Sequence, residues 1–253
     1  MGSGNVFIFA IILLILLAFD TRAFRIPTGP YHFLILCWQW PQSYCNTGDR
    51  VCERPVRNKF TIHSLAPAYK VVQPPYTQFW FVPPYSEENG CTTAEPEDPY
   101  NITSDLFATI SDDMQTYMPD VAHRSFSGRS EDFWRTQFER HGMCFDIPNH
   151  PLFYFLVTLH LARKYDYILD IFNQAQIVPG NEHVLRDIIV AINGNLRKVT
   201  TIRCNEDSDG RKQLNEVWLC FNKELKMISC PYQTFNCPDK QQSIWFHSAY
   251  PAN

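Results

Sequence analysis

Several common signatures of catalysis and metal binding are missing from this sequence of 253 residues. It contains neither a Gly-x-Ser-x-Gly turn, which would carry a serine nucleophile, nor a His-Glu-x-x-His zinc motif. No Cys-x-x-Cys pair is present and the histidines are scattered, so the cysteine pattern is not that of a zinc site. Internal repeats and low-complexity tracts are also absent. The length fits one domain, or at most two small ones.

Basic charge and long apolar runs are scarce too. Lys and Arg number 22 against 26 Asp and Glu, a formal net charge of -4, so the chain has no general basic field for a polyanion. One apolar run, Val6–Phe19, precedes a small-residue cleavage site at Thr21–Ala23 and is short for a membrane span. Although the usual positive n-region is missing, we interpret residues 1–23 as a secretory signal peptide. Residues 24–253 are then one secreted domain without a membrane span, with the vacuole or another endomembrane compartment as the alternative.

Two features that are present fit such a compartment. Nine cysteines are typical of a chain that folds under oxidising conditions. The sequon Asn101-Ile102-Thr103 predicts glycosylation at Asn101, and therefore a position on the surface.

The stretch 133–144, which reads FWRTQFERHGMC, carries the densest chemistry in the chain. It places His141 directly after Arg140, and an acid/base group beside a fixed positive charge suits reactions of an anion such as phosphate. The alternative is purely structural: a helix that ends with Gly142 as its C-cap and a cysteine held in a disulfide. In that interpretation the apolar residues form one buried face: Phe133, Trp134 and Phe138.

A second stretch, FTIHSLAP at 60–67, changes the balance between these interpretations. Residues 59–65 read as a strand that delivers His63 to a surface, on the opposite side from Ile62. A lone histidine in a strand is more often a hydrogen-bonded core residue, so this stretch alone would not indicate chemistry.

Together the two stretches resemble the active-site motifs of the ribonuclease T2 family. The family motifs read roughly F-T-I-H-G-L-W-P and F-W-x-H-E-W-x-K-H-G-T-C, in the same order and at about the same separation. The resemblance extends from Tyr31 to about Phe246 and includes FLILCWQWPQSYC at 33–45 and MQTYMP at 114–119. LNEVWLCF at 214–221 is similar to a late strand of the plant branch, which contains the self-incompatibility ribonucleases.

The resemblance implies an endoribonuclease that cleaves single-stranded RNA by transesterification through a 2′,3′-cyclic phosphate. It assigns His141 as the base and His63 as the acid, with Arg140 as the cation beside the phosphoryl oxygens. DNA lacks the attacking 2′-hydroxyl and should not be cut, and no cofactor or metal is implied. Four further positions correspond to substrate-binding residues of the family: Gln39, Trp134, Thr136 and Phe138.

The chain departs from the family pattern at several of these positions. Gln137 replaces a glutamate counted among the catalytic residues, and Thr136 replaces a histidine. Ala66 replaces a tryptophan that helps to form a base-binding surface in the family. These changes predict altered or reduced activity. They leave open a second hypothesis: a weakened or inactive T2-like secreted protein that binds RNA, or a protein partner through the segment 71–84.

The resemblance also implies the disulfide pairing. The four expected pairs are Cys45–Cys52, Cys91–Cys144, Cys204–Cys237 and Cys220–Cys230. Cys37 is left over in an apolar run, where a free thiol usually behaves as a small buried hydrophobe. An intermolecular bridge is the alternative for this residue.

Hydrophobic periodicity and the resemblance together predict an α+β, ribonuclease T2-like fold with a central, mainly antiparallel sheet, flanking helices and disulfides. Residues 31–40 should form a central strand. The segment 71–84, bracketed by two Pro-Pro pairs, reads as an inserted loop with exposed aromatic residues, or as a loop that folds back on the core. Helices are predicted at 105–118, at 151–172 with a break near Tyr165, and at 181–192, ending at Asn193-Gly194.

Overall fold

The computed structural model describes residues 30–248, except 53, 74–75, 89–90, 93 and 123–129. The predicted signal peptide, residues 1–23, lies outside the described residues. None of the helices described in residues 30–248 combines the length and the apolar composition that crossing a bilayer requires.

The fold is α+β, as predicted, and is built on one sheet of nine strands. The main path runs β3-β2-β1-β6-β5-β8, while β4 pairs with β9, and β7 and β9 pair with β6. Neighbouring strands are antiparallel except in the β5–β8 and β6–β9 pairs. The strands are β1 Phe33–Gln39, β2 Thr61–Gln73, β3 Tyr76–Phe81, β4 Asn181–Val184, β5 Thr201–Glu206, β6 Lys212–Phe221, β7 Met227–Ile228, β8 Thr234–Phe235 and β9 Ser243–Phe246.

Seven α-helices and two 3-10 turns are described around this sheet. The 3-10 turns are Pro99–Asn101 and Gly142–Cys144. The α-helices are α1 Pro41–Cys45, α2 Ser104–Phe107, α3 Ser111–Tyr117, α4 Glu131–Arg140, α5 Pro151–Lys164, α6 Ile168–Gln174 and α7 Leu185–Leu196. The predicted break near Tyr165 is confirmed, since that residue follows the last residue of α5.

Strand β1 is central, as predicted, and is buried along its whole length. It pairs with β2 on one side and β6 on the other. Because side chains alternate along a strand, its two faces belong to different apolar clusters. Leu34, Leu36 and Trp38 join the large core beneath the helices. Phe33, Ile35 and Cys37 join a smaller cluster on the opposite face.

Helix α5 is fastened to strand β2 through one buried side chain. The Tyr154 hydroxyl donates to the Leu65 carbonyl at 3.0 Å and accepts from the Leu65 N–H at 3.4 Å. Both residues lie in the large core, so the polar backbone of Leu65 is satisfied without water. This contact fixes the height of the helix over the segment that carries His63.

The segment 71–84 differs from its prediction as an inserted loop. Residues Tyr76–Phe81 form β3, which pairs with β2 in a hairpin from Gln73↔Tyr76 to Ala68↔Phe81. The Phe79 ring packs edge-on against Phe33 and Trp218, so the hairpin covers the second face of the sheet. Aromatic residues are enriched in strands, so the run 76–81, which reads YTQFWF, carried a signal for a strand that the flanking prolines hid.

Two predicted helices also differ from the structure. The segment 105–118 is divided into α2 and α3, although Phe107, Ile110 and Met114 still share one buried face. The segment 181–192 begins as strand β4, which pairs with β9 from Asn181↔Phe246 to Val184↔Ser243. Helix α7 starts only at Leu185 and continues past Asn193-Gly194 to Leu196. For residues 181–184, pairing with the distant strand β9 therefore outweighs the helical periodicity of the local sequence.

The described residues contain four disulfides, and these are the four pairs implied by the resemblance. Cys91–Cys144 joins the segment after β3 to the turn after α4. Cys37 is free and buried in strand β1.

The burial of Cys37 predicts a cryptic thiol. Burial, and then the negative charge of Glu216, raise the pKa of the Cys37 thiol, so little thiolate forms at neutral pH. We expect the native protein to react with Ellman's reagent only slowly, and the denatured, unreduced protein to titrate one thiol per chain. Cys37→Ser should abolish that thiol. Two or more thiols in the denatured protein would contradict the disulfide arrangement.

Gly142 is required for close packing and does not act as a left-handed helix cap. A Cβ atom at this position would lie 2.2 Å from Cδ2 of Phe138, whose ring is fully buried. We expect Gly142→Ala to lower the free energy of unfolding by about 1–3 kcal/mol through overpacking. Gly194→Ala is the matched control, because no heavy atom lies within 4 Å of its Cβ position in α7. It should stabilise the protein by about 0.5–1 kcal/mol. Urea unfolding that ranks the two variants in the opposite order would contradict this packing.

Candidate active site

His63 sits at a bulge in the pairing of β1 with β2. The register passes from Cys37↔Ser64 to Trp38↔Ile62, so no residue of β1 stands opposite His63. Bulges redirect side chains and are common beside active sites. Ile62 points into the large core, while the His63 side chain is 33% exposed on the other face.

A buried carboxylate holds the His63 ring. Nδ1 of His63 lies 3.0 Å from Oε1 of Glu216, a residue of β6 whose side chain is only 2% exposed. Nη1 of Arg203 lies 3.2 Å from the same oxygen. The Trp218 indole N–H donates to the other oxygen at 2.6 Å. Three donors therefore surround one carboxylate.

The partners of Glu216 determine its charge. Burial of the carboxyl raises its pKa, but this effect is outweighed by the hydrogen bond and charge of His63, by the charge of Arg203 and by the hydrogen bond from Trp218. Together these interactions lower the pKa of Glu216 to about 2. Glu216 is therefore a carboxylate at any pH where the protein is expected to work.

His141 approaches from the helical layer, immediately after α4. Its backbone N–H donates to the carbonyl of Gln137 at 3.0 Å, and the 3-10 turn that follows is held by the Cys91–Cys144 disulfide. Burial, followed by the positive charges of His63 and Arg140, lowers the pKa of His141 to about 3. Its Nδ1 atom is shielded from solvent and finds no hydrogen-bond partner among the described residues. A neutral imidazole of this kind can accept a proton but is a poor donor.

Two recesses meet at His63 and Arg203, which line both of them. The first recess also contains His141, and its wall is mostly apolar, formed by Ala66, Phe81, Trp218 and Phe235. The second recess is polar and basic, with Gln39, Tyr44, Arg50, Arg140, Asn205 and Asn215. The pair of histidines therefore lies between a surface suited to a flat ring and a surface suited to an anion.

The sequence-predicted residues fall into two groups. His63, His141, Arg140 and Gln39 line these recesses. Thr136 does not, because it lies in a separate groove and its hydroxyl donates to the Asp132 carbonyl at 2.8 Å. The structure therefore gives no support to its predicted role in substrate binding.

Trp134 and Phe138, which are also predicted to bind substrate, line neither recess. Both rings are buried in the large core, and the Trp134 indole N–H donates to the Met118 carbonyl at 2.7 Å. Neither ring presents a face to a nucleotide, so both act as packing residues beneath α4. Gln137 is likewise buried, at 1% exposure, and its Oε1 has no hydrogen-bond partner among the described residues.

Sequence reasoning missed three residues of the site: Arg203, Glu216 and Trp218. One signal for Glu216 was available, since it is the only charged residue in the otherwise uncharged stretch 214–221. Its partner Arg203 could not be found in this way, because it stands opposite Glu216 only through the β5–β6 pairing.

Asn101, the predicted glycosylation site, lines neither recess. Asn101 is exposed at the end of a 3-10 turn, and its amide donates to Glu97 Oε1 at 3.0 Å. No group of three or more His, Cys, Asp and Glu side chains within the described residues is arranged to hold a metal ion.

Comparison with known proteins identifies the family. The model of the "Ribonuclease T2 family" matches residues 31–230. Intracellular ribonuclease LX of Solanum lycopersicum is 32% identical over 208 residues, covering 79% of this chain and 78% of that protein. Extracellular ribonuclease LE of the same plant is 29% identical over 242 residues, covering 91% and 93%.

A solved structure agrees with these sequence matches. The gametophytic self-incompatibility-associated SF11-RNase of Nicotiana alata superposes with a TM-score of 0.66 at 26% identity, covering 86% of this chain and 99% of that one. The shared sheet and helices, the matched region and these plant relatives lead to one conclusion. The chain belongs to the ribonuclease T2 family and is similar to its plant members.

Proposed function

We propose that the protein is an endoribonuclease that cleaves single-stranded RNA through a 2′,3′-cyclic phosphate. The observation that carries the proposal is the site itself: two histidines in different electrostatic settings line one recess beside Arg140 and Arg203. His141 is neutral, and His63 is bound to a carboxylate. Pairs of titratable groups in unlike environments are typical of acid/base catalysis.

In the proposed reaction, His141 accepts the proton of the 2′-hydroxyl while that oxygen attacks phosphorus. His63 donates a proton to the departing 5′-oxygen, so the P–O5′ bond breaks as the P–O2′ bond forms. Arg140 offsets the negative charge that develops on the phosphoryl oxygens. Water then opens the cyclic phosphate with the two histidines in exchanged roles. The reaction needs a 2′-hydroxyl, so DNA is not a substrate, and no metal or cofactor takes part.

The apolar recess supports a place for a nucleobase. Ala66 removes one large side chain from its wall, but Phe81 and Phe235 line the same recess and are 38% and 39% exposed. Stacking of a base on an aromatic ring contributes about 1–3 kcal/mol. We therefore propose that base contact in this chain relies on Phe81 and Phe235.

We also propose that the protein is secreted and glycosylated. Four disulfides require an oxidising compartment, and Asn101 is exposed, as a glycan acceptor must be. The names of the two tomato relatives cover both an extracellular and an intracellular ribonuclease, so a vacuolar or other endomembrane location is the alternative. Detection of the mature chain in the secreted fraction, starting near residue 24, would test this location.

A second function is favoured by two observations. Gln137 is a buried amide that cannot titrate, and Thr136 lies outside the site, so the helix supplies fewer catalytic groups than the family motif does. Trp80 on the edge strand β3 is 61% exposed. The alternative function is therefore a protein with weakened catalysis that binds RNA, or a partner protein through the 71–84 hairpin.

Substitution of the two histidines tests the first proposal. We expect His63→Ala and His141→Ala each to reduce kcat by at least about a hundredfold while the protein remains folded, because each removes one proton-transfer group. His160→Ala, an exposed histidine on α5, is the matched control and should cleave normally. The assay uses the secreted protein, an RNA oligonucleotide and the corresponding DNA. Full activity in either site variant would contradict the assigned roles.

Gln137→Glu tests whether a missing counter-charge limits the base. A buried carboxylate one helical turn before His141 should raise the pKa of that imidazole from about 3, making it a stronger base. We expect kcat to rise about tenfold, or roughly 1.4 kcal/mol off the barrier. Because the base must be neutral to act, the acidic limb of the pH–rate profile should move to higher pH. Gln137→Leu, which adds no charge, should not gain activity. An unchanged kcat between pH 4 and 8 would show that the site does not depend on this charge.

A further inference from the structure

The geometry points to Glu216 as the residue that positions His63 for catalysis, with Arg203 and Trp218 holding the carboxylate in place. This inference rests on the ribonuclease activity proposed above. Glu216 does not itself touch the reacting atoms in this scheme, because it acts through the imidazole that it binds.

The location of Glu216 needs an explanation beyond packing. It lies within β6, nine of whose ten residues are buried, and its neighbours Val217 and Leu219 belong to the large core. Burying a carboxylate costs several kcal/mol unless its partners compensate, and an apolar residue at such a position is often at least as stabilising. A buried charge beside the reaction centre is therefore more readily explained by its effect on His63 than by stability.

The carboxylate is held on both oxygens, so it cannot rotate freely. Oε1 faces His63 from β2 and Arg203 from β5, while Oε2 accepts the indole N–H of Trp218 from β6 itself. The charge of Glu216 also raises the pKa of Cys37 in β1. Because three strands supply these groups, the orientation of the carboxylate follows from the sheet and does not depend on a loop.

This arrangement selects one state of the His63 ring. When Nδ1–H donates to Glu216, Nε2 is the nitrogen left to face the substrate, and the ring is held in one orientation. When the ring is protonated, the same carboxylate stabilises the imidazolium while Nε2–H remains free to donate. A general acid needs both properties, a fixed direction and a retained proton.

Two other roles for Glu216 fit the structure less well. A direct acid or base would need access to the substrate, but the side chain is 2% exposed and its pKa is lowered to about 2. A purely structural partner of Arg203 would leave no reason for the contact with His63 at 3.0 Å. The position is therefore best described as supporting the imidazole.

The test compares Glu216→Gln with Glu216→Asp in the full secreted protein. We expect Glu216→Gln to lower kcat about 10–100-fold with KM changed less than threefold, the range typical of residues that orient a functional histidine. Glu216→Asp keeps a carboxylate that can accept from Nδ1–H of His63, so its kcat should be intermediate. Glu206→Gln, an exposed carboxylate on β5, is the matched control and should behave as the unaltered protein.

Nitrogen-15 NMR of the imidazoles provides a readout that does not require activity. In the unaltered protein, neutral His63 should carry its proton on Nδ1, and in Glu216→Gln the population with the proton on Nε2 should increase. If the unaltered protein does not cleave RNA, the proposed function fails while this measurement still tests the positioning role.

Three results would overturn the inference: a loss confined to KM, an Asp variant no better than the Gln variant, or an unchanged tautomer in Glu216→Gln. Should Glu216→Gln fail to fold, the kcat of Glu216→Asp and the His63 tautomer in the unaltered protein decide the question.

Discussion

Strand β1 must be covered on both faces, and the arrangement of the other elements follows from that requirement. Leu34, Leu36 and Trp38 need the helical layer, while Phe33 and Ile35 need a second cover on the opposite face. The hairpin of β2 and β3 supplies part of that second cover through Phe79. It leaves a recess beside Trp218 and Phe235, and both His63 and His141 line this recess. The site is therefore the part of the second face that remains uncovered.

The two histidines reach this site from different layers, and their environments differ accordingly. His63 projects from the sheet at a bulge and contacts a carboxylate, whereas His141 follows a helix and lies in the field of Arg140. One disulfide and the close contact of Gly142 with Phe138 fix the turn that carries His141. The different settings of the two histidines thus begin with the layer from which each residue comes.

Local patterns were sufficient for much of the fold. The apolar run of β1, the two halves of the 151–172 segment and the two histidine motifs were all visible in the sequence. Features that depend on distant pairing were not visible. Asn181–Val184 forms a strand because β9 lies beside it, and the edge strand β3 was obscured by its flanking prolines.

The residues of the site divide in the same way, into those visible in local motifs and those that depend on distant pairing. Motifs identified His63, His141 and Arg140, but Arg203 meets Glu216 only through the sheet register. The burial of Trp134 and Phe138 could not be predicted in this way, because a motif position does not reveal which side of a helix faces the core.

The carboxylate network also constrains how the sequence can vary over evolutionary time. Positions 63, 203 and 216 lie on three strands but share one oxygen atom, so a replacement at one position alters the environment of the other two. Loss of the Glu216 carboxylate alone would leave the Arg203 guanidinium without the counter-charge that it shares with His63. Substitutions in this trio are therefore expected to occur together, through paired or triple replacements. The wall position Ala66 has no charge to balance and can change alone. Homologous sequences should show correlated replacement at 63, 203 and 216, and independent drift at 66.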